Sequence, residues 1–305
     1  MTVKKVTATV FRYDPSQGAE PRYETYEVPY AEDMRILDVL HAIQERHDSS
    51  LAFRYSCRRR RCGMCAVMVN GRPVLACFEG AEREMTIDPL PNLPIVRDLV
   101  VETEPYEDRT IEIHPFLERD HLPEEPEKTA PAQFEGLKPL QTCIECYACM
   151  SVCPVIDIKW KDFAGPATLV QLAKRALDPR DNLERIRLIL RGATSDCVSC
   201  YACVEACPIK INVLEQAIEK LRGQCAEKEV GAWAKFNRVF VKQVAENGLV
   251  TPFILMLKTR GLCSLFTSLP IGFKFALKNK ITYRKQRISK VNDVKRIYRA
   301  AGEKT

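Results

Sequence analysis

Residues 143–155 read CIECYACMSVCPV, and residues 197–209 read CVSCYACVEACPI. Both are C-x2-C-x2-C-x3-C-P, the run that bacterial ferredoxins use to hold two [4Fe–4S] clusters. Three closely spaced thiolates can wrap three corners of a cubane, while the fourth is turned away and reaches the neighbouring cluster. The spacing predicts one site from Cys143, Cys146, Cys149 and Cys207, and a second from Cys197, Cys200, Cys203 and Cys153. Pro154 and Pro208 have no N–H to leave unpaired, which suits the start of a helical turn where the chain departs. Two structural zinc sites are the competing assignment, but zinc usually pairs two C-x2-C knuckles across a longer spacer.

Upstream, residues 57–65 read CRRRRCGMC, and Cys77 follows. Cys57-x4-Cys62-x2-Cys65 with a more distant Cys77 is the plant-type [2Fe–2S] spacing. Gly63 relieves crowding at the tightest point of the loop. Asn70-Gly71 is a hairpin turn that brings Cys77 back beside it. Arg58 to Arg61, read alone, would suggest phosphate binding. Set between ligands, they instead put positive charge near iron, where it raises a cluster's potential, and offer guanidinium groups to carboxylates on a partner. A solvated basic loop is the plainer alternative. No nucleic-acid partner is expected.

These three groups take twelve of the fourteen cysteines and leave Cys225 and Cys263 as buried small side chains. A disulfide framework belongs to short secreted chains. Here the first twenty residues alternate and carry charge, unlike a secretory leader, and no 18-residue apolar run could span a bilayer. The expected location is cytoplasmic, peripheral on the cytoplasmic side of a membrane. The four histidines are scattered, and no P-loop or G-x-G-x-x-G occurs. The chain therefore has no catalytic residues of its own in this reading. Three clusters describe a relay whose substrate chemistry lies on a partner carrying flavin.

The expected fold class is α+β. Strands KKVTATVFRY and RYETYEVPY precede a helix with Ile36, Leu37, Leu40 and Ile43 on one face and Asp33 as N-cap. The cysteine loop and hairpin complete a plant-type ferredoxin (β-grasp) domain over residues 1–117. Residues 118–136, rich in Pro and Glu, are a linker. Residues 137–225 form a mostly helical, bacterial-ferredoxin-like domain. Its helices are GPATLVQLAKRAL, then DNLERIRLIL capped by Asp178-Pro179, then VLEQAIEKLRG with Asn212 and Glu215 as a capping box. Residues 226–305 form a helical extension. From Gly231 onward there are 16 Lys/Arg against 3 Asp/Glu, so +13 of charge follows a −7 body. That tail, with the apolar LVTPFILML at 249–257, predicts docking to a partner or a membrane surface.

FRYSCRRRRCGMCAVMVNG with RPVLAC, the stretch IDPLPNLPIVRDLVVE and the helix start FAGPATL at 163–169 resemble the iron–sulfur subunits of succinate dehydrogenases and fumarate reductases over residues 1–222. The resemblance implies an FAD-containing catalytic subunit as partner and a quinone near the far end of the relay. Familiar members read C-x5-C-x3-C-P in the second run and hold a [3Fe–4S] cluster. Cys200 is an extra thiolate, which places the chain with the branch that carries a second [4Fe–4S] centre. Those members also place a quinone-contacting tryptophan where Ile158 stands, with Trp160 two residues on. Residues 231–305 loosely resemble small iron–sulfur subunits related to heterodisulfide reductase, which implies a membrane-side or cysteine-rich acceptor. The alternatives are the iron–sulfur subunit of another FAD-dependent dehydrogenase, such as one oxidising 2-hydroxy acids, and a free-standing polyferredoxin-like carrier.

Overall fold

Valine and threonine alternate through the first strand, and the alternation sets its two faces. In β1 (Lys5–Arg12) the side chains of Val6, Ala8, Val10 and Arg12 are all buried. β2 (Arg22–Pro29) pairs antiparallel with it along its whole length. The computed structural model describes residues 5–18, 20–121, 130–159, 162–191, 194–261 and 287–300. They belong to two compact units, Met1–Leu221 and Arg222–Thr305.

The sheet of the first unit is completed by a hairpin and a returning strand. α1 (Ile36–Arg46) lies in sequence between β2 and the hairpin of β3 (Ala66–Val69) and β4 (Arg72–Leu75). β5 (Glu84–Asp88) runs parallel to β1 and antiparallel to β3, giving the order β2-β1-β5-β3-β4. Asn70 and Gly71 have φ of 49° and 76°, the double left-handed geometry of a tight hairpin. Ile36, Leu37, Val39, Leu40 and Ile43 of α1 are buried among Val6, Ala8, Val10, Val67 and Ile87. Each such side chain contributes about 1.5–3 kcal/mol on burial. Asp33 does not cap this helix. It has φ of 58°, and the helix begins after Arg35, whose N–H donates to Asp38 at 2.9 Å. The free N–H groups of Ile36 and Leu37 are taken by the carbonyls of Glu79 and Ala76, so the chain after β4 does the capping.

Arg12 interrupts the apolar face. Its guanidinium, almost wholly buried, donates to Asp98 at 3.1 Å, Glu24 at 3.0 Å, Tyr26 Oη at 2.8 Å and Ser50 at 2.9 Å, and also bonds Asp48. Asp98 sits at the turn between the short strands β6 (Ile95–Arg97) and β7 (Val100–Val101) and accepts the N–H groups of Tyr13 and Ala52. This network ties β1 to β2, to the segment after α1 and to the β6–β7 turn.

Next comes α2 (Glu104–Glu112), which the sequence reading did not separate from its surroundings. The rest of the first unit is helical: α3 (Lys138–Gln141), α4 (Ala148–Ser151), α5 (Pro154–Lys159), α6 (Pro166–Ala176), α7 (Ile186–Arg191) and α8 (Ala202–Glu205). Pro154 does start a helix, whereas Pro208 enters a turn closed by Lys210 N–H on the Cys207 carbonyl. Asp178-Pro179 does not start α7. Residues 178–185 stay irregular because their polar groups hold residues 113–120. Arg185 donates to the carbonyls of Ile113, His114 and Phe116, and Asn182 and Asp181 bond Glu118. Asn212 does cap its helix by accepting the Glu215 N–H at 3.1 Å. Glu215 itself accepts the Tyr201 hydroxyl, and Gln216 makes the return bond to Asn212 N–H. That helix opens with a wide π turn at Leu214–Ile218 and continues as α9 (Glu219–Glu227). The first unit is thus a β-rich ferredoxin-like domain followed by a mostly helical region.

In the second unit α11 (Pro252–Arg260) and α12 (Val291–Ala300) both touch α10 (Gly231–Asn247). Gln243 accepts the Thr251 N–H at 2.9 Å, and Asn247 accepts the Ile288 N–H at 3.0 Å. Cys225 is buried. Cys263 and most of the basic run from Lys274 lie outside the described residues. Among the described residues no helix is long and apolar enough to cross a membrane.

Candidate cluster-binding sites

All three cysteine loops use the same backbone device. Left-handed residues recur at Arg58, Arg60 and Gly63, at Glu145 and Tyr147, and at Ser199 and Tyr201. Such alternation turns successive N–H groups to one side and forms a concave anion-binding nest. Six of these seven are not glycine, and left-handed strain of that kind persists where surrounding structure enforces it. In the first loop the N–H groups of Arg59 and Arg61 point at Cys57 Sγ, at 3.4 and 3.3 Å. These donors, Arg59 first, pull the Cys57 thiol down to about 7. Cys65 lies in the sheet core, where burial pushes it up to about 12.

The repeated runs line two hollows. One has Cys143, Cys146, Cys149 and Cys207 in its wall with Ala167, Val170, Ile211 and Val213. The other has Cys153, Cys197, Cys200 and Cys203 with Val155, Phe163, Leu214 and Ile218. Each hollow thus joins three cysteines of one run to the fourth of the other, because α4 and α8 pack together and deliver Cys153 and Cys207 across. Burial pushes Cys146 up to about 11 and Cys203 up to about 12, and raises Cys143, Cys149 and Cys153. Thiolates in such walls need a cationic guest, and the iron of a bound cluster would supply that charge. Among the described residues no three His, Cys, Asp or Glu side chains form a group suited to one metal ion. A cluster spreads its ligands over several irons, so the donor set fits clusters better than zinc.

The [2Fe–2S] loop meets the first cubane loop directly. A Cβ built on Gly63 would lie 2.7 Å from the Ile144 carbonyl oxygen and 2.9 Å from Cys146 Cα. Only glycine permits that approach. Of the four arginines, Arg60 lies over the Phe78 ring at 4.4 Å and Arg58 over Tyr55 at 5.2 Å, and Arg59 is exposed.

Several residues at these sites carried no signal of their own in the sequence. Gln171 Nε2 approaches Cys143 Sγ at 3.9 Å, and Lys174, one turn on and 6% exposed, is the cation beside the same sulfur. Both lie on the helix beginning GPATL, but residue type alone did not separate them from its core face. Asn92, in the proline-rich stretch, donates to main chain around Cys153. Ile158 is exposed, and Trp160 lies outside the described residues.

Residues 7–108 match the family described as a 2Fe-2S iron-sulfur cluster binding domain, and residues 139–211 match the 4Fe-4S dicluster domain. The fumarate reductase iron-sulfur subunit of Haemophilus influenzae is 34% identical over 218 residues, covering 65% of this chain and 85% of that protein. The chain belongs to the family of iron–sulfur electron-transfer subunits of succinate dehydrogenases and fumarate reductases. A chain of the Mycobacterium smegmatis Sdh1 complex in its apo form superposes with a TM-score of 0.69 at 25% identity, covering 75% of this chain and 98% of that one. Longer relatives include an uncharacterized iron-sulfur protein of Methanocaldococcus jannaschii, 39% identical over 73% of this chain and 44% of its own length. A fumarate reductase (CoM/CoB) chain of Methanothermobacter marburgensis is 35% identical over 80% of this chain and 49% of its own length. The chain spans about half the length of these longer relatives.

Proposed function

We propose that this chain carries single electrons between an FAD-containing catalytic subunit that interconverts succinate and fumarate and a membrane-side or cysteine-rich acceptor. The observation that carries the reading is the pair of hollows, each walled by three cysteines of one run and the fourth of the other. Cys57, Cys62, Cys65 and Cys77 would hold a [2Fe–2S] cluster. Cys143, Cys146, Cys149 and Cys207 would hold one [4Fe–4S] cluster, and Cys153, Cys197, Cys200 and Cys203 a second. Bound, these groups supply one-electron redox capacity that no side chain here has.

The chain's own residues hold and insulate. Val170 and Ile211 in one hollow, and Phe163 and Ile218 in the other, give each an apolar wall, although Cys200 at the rim of the second is exposed. Backbone N–H groups of Arg59 and Arg61 stabilise negative charge at Cys57 Sγ. Gly63 keeps the first loop against Ile144 and Cys146, so the first cysteine loop and the first repeated run are in direct contact.

Four functional segments follow in this reading: the ferredoxin domain at 1–117, a linker at 118–136, the dicluster domain at 137–225 and a docking extension at 226–305. The charge of that extension supports attachment at the cytoplasmic face of a membrane or to an acidic partner. The extra thiolate of Cys200 supports the branch with a second [4Fe–4S] centre, and the loose resemblance of residues 231–305 supports an acceptor of the heterodisulfide-reductase type. Affinity purification of the tagged chain from its own cells, under anaerobic conditions, tests the assignment. A flavoprotein should co-elute, and succinate or fumarate should change the visible absorbance of the complex. A flavoprotein that responds only to a 2-hydroxy acid, or no flavoprotein at all, would overturn it.

A further inference from the structure

The carbonyls that end a helical turn need donors, and those of α4 find theirs in the other domain. Ser151 is the last residue of α4, and Cys153 is the sulfur that crosses to the second hollow. Asn92 Nδ2 lies 3.1 Å from the carbonyl oxygen of Met150, 3.0 Å from that of Ser151 and 3.2 Å from that of Cys153. An amide has two N–H groups, so these three acceptors share them in a forked arrangement. Asn92 is itself fixed. Its φ is 63°, a left-handed conformation that asparagine tolerates, and its carbonyl accepts the hydroxyl of wholly buried Tyr106 at 2.6 Å. Tyr106 in turn stacks on Tyr147, which opens α4, at 5.8 Å. The turn is therefore gripped at both ends from the ferredoxin side.

Among the described residues the second run has no equivalent. Val204, Glu205 and Cys207 occupy the corresponding positions, and among the described residues no side chain donates to their carbonyls. The grip is thus applied to one of two otherwise matching turns, and that turn carries Cys153.

We propose that Asn92 is a positioning residue for Cys153: its side-chain amide sets the main chain that presents this sulfur to the second [4Fe–4S] site, so the ferredoxin domain governs the integrity of a cluster bound in the other domain. The proposal rests on the ligand assignment given above. Metal ligands depend in this way on neighbours that orient them without touching the metal.

The test is alkylation of the intact, anaerobically purified protein with iodoacetamide, read cysteine by cysteine by mass spectrometry. Asn92→Gly keeps the left-handed turn and removes the amide. Asn92→Asp keeps the shape but turns donors into acceptors facing three carbonyl oxygens. Tyr106→Phe keeps the ring stack and removes the hydroxyl that bonds the Asn92 carbonyl, which secures a readout should the other two be insoluble. Cys153, Cys197, Cys200 and Cys203 should label at least about ten-fold faster in the two Asn92 variants and several-fold faster in Tyr106→Phe. The other eight ligands should stay protected, with iron falling from about ten toward about six atoms per chain as one cubane is lost. Unchanged labelling, or an equal rise at all twelve cysteines, would overturn the positioning role. Wild-type protein that labels freely at all twelve would instead refute the ligand assignment itself.

Discussion

Gly63→Ala is a one-methyl perturbation at the meeting of two cluster loops. The added Cβ would fall 2.7 Å from the Ile144 oxygen and 2.9 Å from both Cα and Cβ of Cys146. Main-chain atoms of a ligand loop cannot swing aside, so the loops must separate by several tenths of an ångström. The residue also has φ of 73°, where a side chain costs about 1–2 kcal/mol. Overpacking of a close contact adds about 1–3 kcal/mol, for a total of roughly 2–5 kcal/mol. Two readouts follow. Denaturation under anaerobic conditions should give a loss of that size. Power saturation of the reduced [2Fe–2S] signal should show weaker relaxation enhancement, because its neighbouring cluster has moved away. A variant with wild-type stability and unchanged saturation would refute the argument that this contact sets the approach of the two loops.

Two further predictions concern charge. Arg12→Met leaves Asp98, Asp48 and Glu24 without their shared cation and should cost about 3–5 kcal/mol near neutral pH. Hydrogen bonding, from Arg12 first, holds the Asp48 carboxyl well below its usual range. Its contribution is therefore full above the unfolded value of about 4 and is lost as pH falls through the folded one. The gap in denaturation midpoint between wild type and variant should narrow below about pH 4, and a gap that stays constant with pH would contradict the pairing. Arg59→Gln removes one exposed charge near the [2Fe–2S] loop without touching a ligand. At a distance of about 10 Å and an effective dielectric of about 20–80, its loss should lower a one-electron potential by roughly 20–70 mV. Redox titration with an unchanged midpoint would return the arginines to a solvated surface role.

What could be read from the sequence was whatever is encoded by spacing. The paired cysteine runs, the Asn70-Gly71 turn and the apolar face of α1 are local patterns, and each maps to one local geometry. What could not be read depended on residues distant in sequence. Asp33 is a good N-cap by type, but the start of α1 is capped by carbonyls from Ala76 and Glu79, contributed by the chain after β4. Asp178-Pro179 looks like a helix start, yet Arg185 and Asn182 are engaged with residues 113–120 and keep the segment irregular. Arg12 sits in phase with valines and becomes intelligible only with Asp98, which arrives from another loop. Asn92 follows the same rule, since an asparagine between prolines signals a turn and not what its amide will grip.

The central claim is that twelve cysteines hold one [2Fe–2S] and two [4Fe–4S] clusters, and the ⁵⁷Fe Mössbauer spectrum of anaerobically purified, iron-enriched protein tests it most directly. About one fifth of the iron should fall in a [2Fe–2S] component and four fifths in [4Fe–4S] components, from about ten irons per chain. A reproducible [3Fe–4S] component in untreated protein with about nine irons, or zinc in place of iron at either hollow, would contradict it.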